Sequence, residues 1–144
     1  MWIDRLLASR TTQALELAAT FAEQRHRVLA ENLANIDTPD YHTQRLDPQA
    51  FQDTLRKALD RAQAPGPARL ELRGDAQVAT DADGRLVVRP AVEPATNVLF
   101  HDGTNARLER AVADVNENAL FHELTTSLLR ARFQNLLNAI RGRV

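Results

Sequence analysis

Apolar residues recur at helical spacing at both ends of the chain, and the stretch between has a different texture. From about Ile3 to Asn35, the positions Ile3, Leu7, Ala14, Leu17, Phe21 and Val28 follow one another at steps of three, four or seven. That is the stripe of an amphipathic helix. Arg10 and Gln24 fall on the same seam and weaken it. Pro39 disfavours helical backbone at Thr38, so the helix should stop near Asn35, a residue that tolerates a left-handed cap.

The second pattern is longer. Leu108, Val112, Val115, Ala119, His122, Thr126, Leu129, Phe133, Leu136 and Ile140 alternate in three- and four-residue steps from about Thr104 to Arg141, predicting a coiled-coil-like helix. Asp102, Thr104 or Asn105 would cap its start. Its last turns carry Arg130, Arg132, Arg141 and Arg143 without an acidic residue, which suits the negative end of a helix dipole. Gly142 is its expected stop.

Between the two, Asp47-Pro48 reads as an N-cap followed by proline at the first helical position, opening a short helix with Phe51, Leu55 and Leu59 on one side. Ala64-Pro-Gly-Pro67 should end it. From Arg69 to Arg89, short apolar runs flank Asp81-Ala-Asp-Gly84, the pattern of a small hairpin. Pro90, Pro94 and the polar stretch to Gly103 read as a loop. No internal repeat is evident.

The predicted fold class is therefore mainly α and elongated. Long N- and C-terminal helices pair as an antiparallel, coiled-coil-like hairpin, with a short helix and a small β-hairpin or loop insert between them. The expected division is 1–36, 37–103 and 104–144, the first and last together forming one helical core. Helices of about 33 and about 38 residues would run roughly 50 and 57 Å. A compact chain of this length would be only roughly 37 Å across. Either the helices break or the molecule is elongated. Two helices with one apolar stripe each leave much of that stripe wet, and at about 25 cal/mol per Å² neighbouring copies are the natural cover.

Composition narrows the function. With 144 residues, 18 Lys and Arg against 19 Asp and Glu, the chain lacks the positive excess of a general nucleic-acid binder. No cysteine is present, so neither a disulfide framework nor a cysteine metal site arises. Charges interrupt every apolar run well short of a membrane span. Met1-Trp-Ile-Asp-Arg5 does not lead into the apolar stretch of a cleavable signal peptide. No catalytic residue, cofactor or metal ligand set is expected: His26, His42, His101 and His122 lack metal-ligand spacing, and no nucleophile motif occurs. Placing Gly84 at position six of a calcium loop puts Ala79 and Pro90 where carboxylates belong, so Asp81 to Gly84 reads as a turn.

The stretch Asn32-Leu-Ala-Asn-Ile-Asp-Thr-Pro-Asp-Tyr41 carries the family signal. It resembles the signature of flagellar basal-body rod proteins, Asn-(Ile/Leu)-Ala-Asn-x-x-Thr-Pro-Gly-(Tyr/Phe), which follows their N-terminal helix. Asn32, Leu33, Ala34, Asn35, Thr38, Pro39 and Tyr41 fit, and Asp40 replaces the usual glycine. Asp102 to Glu109, Glu117 to Leu120 and Leu136 to Gly142 resemble the last helix of the same family, with Thr104 and Asn105 swapped from the commoner order. The short middle fits the proximal rod type.

The resemblance implies a structural subunit of the hollow rod that crosses the periplasm in the flagellar basal body. Export would run through the flagellum's own type III channel without a cleaved signal. Implied partners are other copies of the chain, other proximal rod proteins, the basal rod adaptor FliE and the export apparatus. Expected helix-packing and assembly positions are Leu7, Leu17, Phe21, Val28, Leu108, Val112, Val115, Leu129, Phe133, Leu136 and Ile140. If the turn needs positive φ at position 40, aspartate costs about 1 kcal/mol relative to glycine, whereas a type I turn with Pro39 second avoids it.

Two alternatives remain at this level. Phe121-His-Glu-Leu-Thr-Thr-Ser-Leu128 resembles the phospho-acceptor box of sensor histidine kinases at His122, Glu123, Leu124, Thr126 and Leu128, but Thr125 replaces its basic residue and Ser127 its proline. The bland reading makes His122 a seam residue. A generic coiled-coil adaptor is the other alternative. Trp2, the lone tryptophan, is either an accident of an exposed terminus or an interface anchor.

Overall fold

A computed structural model of the chain describes residues 9–62, 69–93 and 103–142, without the side chains of 103–106. Its elements in chain order are α1 (Arg10–Ala34), β1 (Gln44–Arg45), α2 (Pro48–Arg61), β2 (Val78–Thr80), β3 (Leu86–Val88), β4 (Ala91–Val92) and α3 (Gly103–Ile140).

Helix α1 starts later than its apolar stripe suggested. Ser9 has extended backbone and its Oγ accepts from the Thr12 amide, a side-chain cap that begins a helix rather than continuing one. Ile3, Leu7 and Trp2 lie outside the described residues. The far end falls where Pro39 implied, with Asn35 as C-cap. Asn35 is not left-handed, however: its φ is −108°. Its amide and its Nδ2 both donate to the Glu31 carbonyl, and that double bond closes the helix instead.

Helix α2 begins as the sequence indicates. Asp47 Oδ1 accepts from the Gln49 and Ala50 amides, and Pro48 occupies the first turn, where it has no hydrogen bond to lose. Phe51, Thr54 and Ala58 form its buried face. Beyond it, β2 and β3 pair antiparallel, with Val78 opposite Val88 and Thr80 opposite Leu86. The connecting turn is closed by Asp81, whose Oδ1 accepts from the Asp83 and Arg85 amides while Gly84 takes φ 78°. The carboxylate that could suggest a calcium loop is thus bonded to its own backbone. Strand β1 pairs antiparallel with β4, Gln44 opposite Val92, across nearly fifty residues of sequence.

The deep core lies between α1 and this middle segment. Leu17, Phe21 and Val28 of α1 meet Leu46, Phe51, Ala58, Leu70, Leu72 and Val78, with the Phe21 and Phe51 rings stacked in parallel at 4.1 Å. Gln77 fastens the hairpin to the helix start: its Oε1 accepts from the Asp47 amide and its Nε2 donates to the Arg45 carbonyl. Helix α3 lies along the other side of α1, antiparallel, since Asn118 bonds at Ala22 while Arg132 bonds at Ser9. At 38 residues α3 is about 57 Å long, well beyond a compact body. The chain exposes 10434 Å², against roughly 7,400 Å² for a compact monomer of its mass.

Candidate assembly site

The turn after α1 is built around two asparagines. Asn32, in the last turn of α1, reaches the returning chain: its Nδ2 donates to the Gln44 carbonyl at 2.6 Å, and its Oδ1 accepts from the Gln44 amide at 3.0 Å. The Tyr41 hydroxyl donates to that same oxygen at 3.1 Å. Asn35 caps the helix and its Oδ1 accepts from the Thr38 hydroxyl, while the Thr38 amide donates to its carbonyl. Leu33 is half-buried, and Ala34 and the stretch from Asp37 to Asp40 are exposed. Asp40 has φ 59°, so the chain does adopt the left-handed conformation that glycine would take without strain.

The contact between α1 and α3 is the most extensive between any two elements, and several of its buried groups are polar. Asn118, only 1% exposed, donates through Nδ2 to the Ala22 carbonyl and accepts through Oδ1 from Arg25 Nη1 at 3.5 Å. Arg25 is itself buried. Thr125 is buried and returns its hydroxyl to the Phe121 carbonyl. Arg132 donates to Ser9, and its Nε is buried without a hydrogen-bond partner, which costs desolvation energy.

The residues of α3 turned inward are Ala111, Asp114, Val115, Asn118, Phe121, Thr125, Thr126, Leu129, Arg132 and Leu136. The apolar stripe seen in the sequence is rotated from this face. Leu129 and Leu136 belong to both, Val115 and Thr126 are half-buried at the edge, and Leu108, Val112, Phe133 and Ile140 remain exposed. Over its first heptads the true seam runs one residue earlier, at 111, 118 and 125 rather than 112, 119 and 126, a rotation of about 100°. A search for the most apolar face could not find it, because the face against α1 is not the most apolar one. In α1, by contrast, Leu17, Phe21 and Val28 are buried, against the middle segment.

Helix α3 consequently keeps two apolar flanks in solvent. One carries Leu108, Val112, Phe133, Leu137 and Ile140, and the other Leu120, Leu124 and Leu128. At about 100° per residue these flanks point roughly 160° apart, one on each side of α1. His122 is exposed, and Thr126 donates to its carbonyl. Among the described residues no group of histidine or acidic side chains has metal-binding geometry, and no helix is long and apolar enough to cross a membrane. The open cleft of about 820 Å³ between α1 and the hairpin turn is lined by opposed charges, Glu16 and Asp83 with Arg69 and Arg85.

A capped N-terminal helix, an asparagine-held turn and a long C-terminal helix with bare apolar flanks are the features of a helical hairpin that leaves apolar surface uncovered. In sequence the chain is similar to flagellar basal body rod proteins. The particular relatives are named FlgB: 26% identity to that of Salmonella typhimurium over 149 residues, covering 97% of this chain and 98% of the relative. The Escherichia coli protein is 28% identical over 147 residues, again covering 97% and 98%. That of Bacillus subtilis is 24% identical, covering 94% of the chain and 97% of the relative. No family model matches the chain.

Proposed function

We propose that the chain is a structural, non-enzymatic subunit of the proximal rod, assembling through its terminal helices into the hollow shaft of the flagellar basal body. The observation that carries this reading is the end-to-end similarity to rod proteins of one type in enteric bacteria and Bacillus. The exposed flanks of α3 support it physically, since a stable monomer has no reason to leave Leu120, Leu124 and Leu128 wet. Opposite α1, helix α3 presents Asn116, Glu123, Ser127, Gln134 and Asn138, a polar face suited to a water-filled lumen.

In this reading residues 1–36 and 104–144 form the helical core, and 37–103 is an outward segment that meets neighbouring subunits. The family turn Asn32 to Tyr41 sets the angle between the two. Its partners are further copies, other proximal rod proteins, the adaptor FliE and the export apparatus that delivers the chain without a cleaved signal. The test is deletion of the gene, with motility assays and electron microscopy of purified basal bodies. Non-motile cells with membrane rings but no rod, restored by the intact chain, are expected. Normal rods and swimming in the deletion strain would overturn the reading.

A further inference from the structure

A small cavity of about 50 Å³ lies where α1, α2 and α3 meet. One water needs roughly 10–15 Å³ of such space, so the cavity has room for about three or four non-hydrogen atoms. Phe21, Phe51 and Phe121 wall it, Arg25 and Asn118 lie against it, and the exposed Gln52 and Glu117 mark its mouth.

Arg25 is out of place in such surroundings. It is only 8% exposed, yet its one hydrogen bond runs to Asn118 Oδ1 at 3.5 Å. A guanidinium carries five N–H donors, and a buried one needs a counter-charge. Among the described residues none pairs with it: the ion pairs of Arg27, Arg45, Arg56 and Arg73 are all at the surface, and Glu117 shares the cavity without bonding Arg25. The first turn of α2 also borders the cavity through Pro48 and Phe51, but Asp47 already takes its Gln49 and Ala50 amides. The open donors are those of Arg25.

We propose that this cavity binds a small carboxylate, which serves as the counter-ion of Arg25. Guanidinium and carboxylate are both planar and pair through two parallel N–H···O bonds. The phenylalanine walls keep water from the pair and so strengthen it. The volume admits formate or acetate, or the end of an aspartate side chain from another molecule. The site is apart from the bare flanks of α3 and goes beyond the rod-subunit reading.

Thermal unfolding of the full-length chain in sodium formate or sodium acetate, against sodium chloride at equal ionic strength, reads the site. In the carboxylates alone, the melting temperature should rise by about 3–5 °C for each tenfold increase above the half-effect concentration. Arg25→Met should abolish that dependence. Glu117→Gln removes a repelling charge from the mouth and should lower the half-effect concentration several-fold. Because Glu117 is exposed, this second variant reads the site even where Arg25→Met fails to fold. N-acetylaspartate amide separates the two sources of the carboxylate. A shift at or below the acetate concentration assigns the site to an aspartate side chain, and a weaker shift or none assigns it to a free acid. Equal shifts in chloride, no shift in formate or acetate, or an undiminished dependence in Arg25→Met would overturn the proposal and leave the cavity to water. An unchanged half-effect concentration in Glu117→Gln would overturn it as well.

Discussion

Helix α1 packs on two sides, and the two contacts are made of opposite materials. Toward the middle segment it presents Leu17, Phe21 and Val28 to Phe51, Leu70, Leu72 and Val78, an apolar core closed by a stacked phenylalanine pair. Toward α3 it presents Thr12, Ala22 and Arg25 to Asn118, Thr125 and Arg132. Apolar burial gives magnitude without direction, whereas a buried amide bonded at both ends is satisfied in one register only. The core holds the fold together, and the polar seam fixes how the hairpin aligns. The apolar residues of α3 are thereby left for other contacts.

The largest effect should come from the core. Phe51→Ala removes a fully buried ring and its stacking partner, and should destabilise the chain by about 3–5 kcal/mol in urea unfolding. A loss below about 1 kcal/mol would mean that the middle segment contributes little to the fold. Next is the seam. Asn118→Ala removes the side-chain bond to the Ala22 carbonyl and leaves buried Arg25 without the Asn118 oxygen, an expected loss of about 1–3 kcal/mol. Replacing both polar partners, as Arg25→Met with Asn118→Leu, should recover most of that loss. If the seam sets register, amide spectra of the double variant should show more than one hairpin alignment.

The contrast also explains what could be read in advance. The end of α1, the start of α2, the β2–β3 hairpin and the long last helix follow from local chemistry: a proline at 39, an Asp-Pro pair at 47, an Asp-Gly turn at 84 and unbroken helical periodicity. The pairing of β1 with β4 depends on residues far apart in sequence and left no local signal. The orientation of α3 within the hairpin is not legible for a different reason. Periodicity locates the most apolar face, and here that face is not the one packed within the chain. Leu129 and Leu136 sit where both stripes overlap, and the exposed Leu108, Val112, Phe133 and Ile140 mark the difference. In the turn, Asn32 and Asn35 were legible as family residues, while the bonds from Asn32 to Gln44 and Tyr41 needed the returning strand to be seen.

A smaller change tests the turn that joins the two regions. Asp40 at φ 59° is strained relative to glycine, so Asp40→Gly should stabilise the chain by about 0.5–1 kcal/mol, trimmed by the greater freedom glycine has when unfolded. Asp40→Ala should go the other way by a similar amount. Equal unfolding midpoints for all three would show that position 40 is not held left-handed in solution.

The smallest effect on folding should accompany the largest on assembly. Leu124 is 57% exposed on α3, and lysine is as good a helix former, so Leu124→Lys should shift unfolding by no more than about 0.5 kcal/mol. If that flank is an interface, the same change places a charge where a neighbour's apolar side chain belongs, and rods should fail to form. Leu136→Lys, buried at the seam, should instead cost folding stability first. The pair separates the two roles of one helix: similar unfolding losses in both variants would mean that α3 buries Leu124 within its own chain, and that the seam and the flank are not distinct surfaces.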